Sequence, residues 1–127
     1  MDKKILVALD IKEGLELITF LKGTELRMTS AFWYYSLKIE EWQLMIVTDM
    51  VEAEGSKKAY KIVLDAIKYF GKKIDIPFES IYMVSPENSL NNISDYAENF
   101  EPQDTGKRFL GNFVRRQFFH DAYLYRV

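Results

Sequence analysis

The sequence predicts an α+β (mixed α/β) domain: a mixed, mainly antiparallel sheet of about five strands with about three helices packed on it, in the order α-β-β-α-β-α-β-β. Three observations lead there. The runs Ala31-Phe32-Trp33-Tyr34-Tyr35 and Trp42-Gln43-Leu44-Met45-Ile46-Val47 flank a short charged turn, as the strands of a hairpin do. Lys57 to Phe70 carries a helical apolar stripe between the second of those runs and the short apolar run Ile81 to Val84, so a crossover helix should make two strands parallel. Phe109 to Val114 and Ala122 to Val127 are two more strand candidates near the end, expected to pair as a second hairpin.

The first helix follows from Asp10, which can cap it with Glu13 three residues on. Ile11, Leu15, Ile18 and Leu21 recur at helical spacing, Leu17 and Phe20 widen the stripe, and Gly23 suits the stop. Lys3 to Leu9 fits a helical extension, a separate turn or a strand equally. Met28 to Leu37 and Trp42 to Asp49 form the first hairpin. Alternation puts Trp33 and Tyr35 on one face and Phe32 and Tyr34 on the other. Neither face is polar, so both need cover, from helices on one side and from a further helix or a partner chain on the other.

Ser56 is a good N-cap for the next helix, whose Ala59, Tyr60, Val63, Ile67 and Phe70 oppose Lys57, Lys61, Asp65 and Lys68, and Gly71 ends it. Ile81 to Val84 is a short buried strand. Ser85-Pro86 then opens a third helix with Leu90, Ile93, Ala97 and Phe100 as its stripe. Residues 101–106 are loop, and Arg115 to His120 connects the last two strands.

The 127 residues suit one domain, 1–127, able to bury roughly two-thirds of its unfolded surface. The absence of cysteine removes disulfides and thiolate chemistry and points to the cytoplasm. The apolar run at the start stops at Asp10 without a small-residue cleavage pattern, so it reads as mature protein. No apolar run reaches the roughly 20 residues that span a bilayer, and no motif calls for a cofactor or metal. Net charge is −2, but unevenly spread. Lys57, Lys58, Lys61, Lys68, Lys72 and Lys73 crowd one stretch, and Lys107, Arg108, Arg115, Arg116 and Arg126 another. Glu87, Asp95, Glu98, Glu101 and Asp104 lie between them.

Gly14, Ala31-Phe32-Trp33, Trp42-Gln43-Leu44, Glu54-Gly55, Ala59-Tyr60 and Ala122-Tyr123-Leu124-Tyr125-Arg126 together resemble an uncharacterised family of small prokaryotic single-domain proteins, from about Lys12 to the end. The resemblance implies a compact domain and carries over neither activity nor catalytic residue.

Four constellations carry possible chemistry. Asp49, Glu52 and Glu54 could hold a hard divalent ion, but the favoured reading is a solvated acidic loop ahead of a helix whose dipole favours negative charge. His120, the only imidazole, lies beside Arg115 and Arg116 in sequence and makes the polar corner on which any hydrolase or nuclease would depend. Neighbouring strand residues face opposite ways, so His120 and Asp121 do not form a dyad, and no turn motif exposes Ser80, Ser85 or Ser89 as a nucleophile. The Lys57–Lys73 face could contact phosphates while Trp33 or Tyr35 stack bases of single-stranded nucleic acid, although a lysine-rich helix face is ordinarily only solvated. The aromatic hairpin, through Trp33, Tyr35 and Trp42, could join two copies of the chain.

The sequence is therefore read as a non-catalytic interaction or binding module, self-associating through the aromatic hairpin. A small enzyme using His120 with Arg115 and Arg116, or a single-strand nucleic-acid binder, is the alternative.

Overall fold

Strand alternation divides the side chains of the sheet between two cores. A computed structural model describes residues 5–115 and 117–127. Five strands, β1 (Met28–Ser36), β2 (Glu41–Thr48), β3 (Ile81–Val84), β4 (Gly106–Val114) and β5 (Gln117–Tyr125), form one sheet in the order β3-β2-β1-β5-β4. Only β2–β3 is parallel; β1–β2, β1–β5 and β4–β5 are antiparallel. The α+β class, the element order, both hairpins and the parallel crossover are as the sequence predicts.

The faces separate as alternation requires. Ala31, Trp33, Tyr35, Trp42, Leu44, Ile46 and Tyr125 point to an upper core, where α1 (Ala8–Leu21) and α3 (Ser56–Phe70) cover them with Leu17, Ile18, Leu21, Ala59, Val63 and Ala66. Phe32, Met45, Val47, Phe109, Phe119, Ala122 and Leu124 point to a lower core. Its cover is the Ser89–Asn99 segment, which supplies Ile93 with Leu90 and Tyr96 beside it.

Several boundaries differ from expectation for local reasons. Asp10 does not cap α1 but occupies its first turn, where its Oδ2 accepts the backbone N–H of Val7 at 3.0 Å. The helix therefore starts at Ala8; Ile5 to Val7 are irregular, and residues 1–4 lie outside the described set. A short helix α2 (Met50–Ala53) replaces the expected acidic loop, because the Thr48 hydroxyl accepts the Met50 N–H at 3.1 Å and turns the strand end into a helix start. Gly55, at φ +91°, separates it from α3 and takes the cap position expected of Ser56.

The predicted third helix is a 3-10 segment. Asn88 accepts the Leu90 N–H at 2.9 Å and the Ser94 hydroxyl donates to the Asn91 carbonyl at 2.7 Å, so short polar side chains compete with α-helical bonding. Leu90, Ile93 and Tyr96 are spaced by three, which suits that winding. Of the expected stripe, Ala97 has a side chain outside the described set. The last connection is also shorter than expected, since β5 begins at Gln117 and contains His120. Among the described residues no helix is long and apolar enough to cross a membrane.

Candidate functional site

The residues singled out in the sequence do not converge. Trp33, Tyr35 and Trp42 are 3 %, 7 % and 6 % exposed, so all three are core side chains of the upper layer and offer little to a second copy or to a nucleic-acid base. Arg115 stands at the β4–β5 turn with φ +47° and pairs with Asp95 at 2.6 Å. Arg116 lies outside the described residues. His120 is exposed within β5, its ring 5.7 Å from that of Tyr35. Its neighbour Asp121 is buried and engaged elsewhere, in a bidentate pair with Arg108 at 2.7 Å through both oxygens.

The acidic stretch after β2 is engaged internally. Arg27 bonds Asp49 at 2.9 Å and Glu54 at 3.2 Å, Lys58 bonds Glu54 at 2.6 Å, and Glu52 accepts the Ser85 hydroxyl. The hydrogen bond from Lys58, with that from Arg27, holds the Glu54 carboxyl below its ordinary range. Among the described residues no three His, Cys, Asp or Glu side chains are grouped to hold a metal ion. On the Lys57–Lys73 face Lys61 pairs with Asp65 at 3.2 Å, while Lys57, Lys68, Lys72 and Lys73 are exposed.

A different group of residues does converge. Above the β1–β2 end of the sheet lies a pocket of about 550 Å³, built from three stretches of chain. The first runs from Leu6, ahead of α1, to Asp10 in its first turn. The second is the hairpin, with Trp33, Glu41 and Trp42. The third is the loop between α3 and β3, with Asp75, Ile76, Pro77, Glu79 and Ser80.

Each wall is held in place. Buried Ile74 and Ile76 anchor the loop, leaving Asp75 and Pro77 outward, and the Asp75 N–H donates to Glu13 of α1 at 2.9 Å. Tyr60 of α3 packs edge-on against Phe78 at 6.0 Å while its hydroxyl accepts the Met83 N–H at 3.1 Å, which fixes the loop to β3. The Trp33 N–H donates to the Tyr125 hydroxyl at 2.8 Å, and that hydroxyl donates to the Ile11 carbonyl at 2.7 Å. Gly14 of α1 makes room for this: a Cβ there would strike the Tyr125 hydroxyl and lie 3.0 Å from the Trp33 indole nitrogen. Burial pushes the Tyr125 phenol far above its ordinary range, an effect only partly offset by the Trp33 hydrogen bond.

Trp42 differs from Trp33 in one respect. Its ring packs on Tyr35 at 5.4 Å and under the Arg108 guanidinium at 5.8 Å, yet its buried Nε1–H has no acceptor among the described residues. Leaving a buried donor unmade costs about 1–3 kcal/mol. Arg108 also donates to the Leu6 carbonyl at 3.3 Å, so the Asp121–Arg108 pair braces the end of the pocket where Trp42 sits.

Sequence reasoning weighed Asp10 as a cap and Ser80 as a nucleophile, and it missed Glu41, Asp75 and Glu79. The available signal was the alternation Ile74-Asp75-Ile76-Pro77-Phe78-Glu79, which sets acids outward on a loop anchored by apolar side chains. No known protein-family model, curated protein or solved structure matches the chain.

Proposed function

We propose that the protein is a non-catalytic binding module, cytoplasmic as its lack of cysteine suggests, and that its binding site is the pocket between the start of α1, the β1–β2 hairpin and the loop before β3. The observation that carries this reading is a pocket of about 550 Å³ whose walls are each held in place, a size that suits a small organic ligand. Binding is favoured over turnover because the polar groups singled out in the sequence are dispersed or already paired: Arg115 with Asp95, Asp121 with Arg108, and Glu54 with Arg27 and Lys58. Self-association through Trp33, Tyr35 and Trp42 is not part of the proposal, since those side chains are core.

The chain has two tryptophans, so a nitrogen–proton correlation spectrum contains two indole signals, and that of Trp42 is a direct reporter. A screen of cationic, neutral and anionic fragments is expected to yield ligands that move the Trp42 indole signal together with the amide signals of residues 75–80. If no fragment of any charge moves the Trp42 signal or the amide signals of residues 75–80, the pocket is not a binding site.

A further inference from the structure

We infer that the joined ends of α1 and α3 form a second site, one that takes single-stranded nucleic acid by stacking a base on Tyr69 and meeting the neighbouring phosphates with Lys68, Lys72 and Lys73. It shares no lining residue with the pocket above and stands independently of it.

The ring is held for stacking. Tyr69 is 72 % exposed, more than any other Phe, Tyr or Trp side chain among the described residues. It stacks on Phe20 of α1, with centroids 4.8 Å apart and planes at 26°, and Phe70 meets the two rings edge-on at 5.4 and 5.5 Å. Phe20 and Phe70 are half-buried, so they fix the Tyr69 ring at the lip of an open groove of about 480 Å³ between the helices. An aromatic face presented in this way accepts any base, since every base has a π-face.

The charge around that ring is unbalanced. Lys58 and Lys61, nearer the start of α3, are paired with Glu54 and Asp65. Among the described residues Lys68, Lys72 and Lys73 have neither an ion pair nor a side-chain hydrogen bond, and all three are exposed. Gly71, at φ +58°, turns the chain out of α3 so that Lys72 and Lys73 follow the ring directly, and buried Ile74 anchors the turn. Glu16 is the one acid lining the groove. The carbonyl ends of α1 and α3 favour cations and account for the lysines being here, but not for an exposed ring among them. Lysines without carboxylate partners beside an open aromatic face match the alternating phosphates and bases of a single strand. A duplex keeps its bases stacked inside, and a lipid surface needs several projecting apolar side chains, whereas of the three rings only Tyr69 stands clear.

Fluorescence anisotropy with the intact protein compares a labelled oligothymidylate of about 12 nucleotides with an abasic strand of equal length and charge. The oligothymidylate is expected to bind at least about fivefold more tightly, the worth of one stacked base. Tyr69→Leu should bring it down to the abasic level while Tyr69→Phe keeps it, and neither should alter binding of the abasic strand. Lys72→Gln and Lys73→Gln should weaken both strands, and each should make the dependence of log affinity on log salt shallower by about 0.7. Glu16→Gln should tighten both. Equal binding of the two strands, or an oligothymidylate affinity unmoved by Tyr69→Leu in a variant whose amide spectrum stays folded, would overturn the inference. So would the absence of binding at low salt, or capture of the protein by vesicles of phosphatidylserine and phosphatidylcholine but not by the oligothymidylate.

Discussion

Three residues far apart in the chain depend on one another at a single point. Gly14 leaves the gap, Tyr125 fills it with a hydroxyl, and Trp33 donates to that hydroxyl. Tyr125→Phe would strand the Trp33 N–H beside a buried face, at a cost of about 1–3 kcal/mol at neutral pH. Its pH dependence has a definite sign. The folded phenol is pushed up by burial, so the stability it contributes is complete below the free phenol value of about 10 and is lost as pH rises beyond it, where the unfolded chain ionises first. Denaturant titrations at neutral and alkaline pH should therefore show wild type losing its advantage over Tyr125→Phe in alkali. The sequence singled out Gly14, Trp33 and Tyr125 as pattern residues, but not their contact, which spans 92 positions between Trp33 and Tyr125. The unmade N–H of Trp42 was beyond it altogether, because nothing local distinguishes one indole from the other.

At the scale of elements, local periodicity was the reliable guide. The alternation in β1 placed Trp33 and Tyr35 opposite Phe32 and Tyr34, as found, since each residue's face is set by its neighbour. Competition between side chain and backbone was harder to read: Asp10 suits both a cap and the first turn, and Asn88, Asn91 and Ser94 diverted a helix into 3-10 winding. The ion pairs joining α2 and α3 to the start of β1 give a testable consequence. Lys58 and Arg27 depress the Glu54 carboxyl, so its contribution to stability is present above the ordinary carboxylate range and is lost as pH falls through the lowered value. Glu54→Gln is expected to lower the unfolding midpoint near neutrality and to converge on wild type in acid. The pairs are solvent-exposed, so high salt should shrink the neutral-pH gap as well.

For the molecule as a whole, the sheet is unequally supported. The register pairs β1 with β5 at Phe32–Leu124, Trp33–Tyr123 and Tyr34–Ala122, whereas β4 and β5 continue together to Val114–Gln117. Beyond Asp121 the second hairpin is thus a two-stranded ribbon carrying Leu110, Phe113 and Phe118 in an exposed state. Hydrogen exchange should find amides of the ribbon opening independently, while those of β1 and the middle of β2 exchange only through global unfolding. The pocket was illegible in the sequence for a related reason: its three stretches are separated by α1 on one side and by α2 and α3 on the other, and only the folded sheet assembles them. This carries a kinetic consequence. Each hairpin can form from near neighbours, but the walls meet only after the slow closure of long loops, the α3 crossover to β3 and the junction of β5 with β1. Recovery of ligand affinity during refolding should then lag behind recovery of strand structure, and a ligand present from the outset would act by retarding the reopening of that final junction.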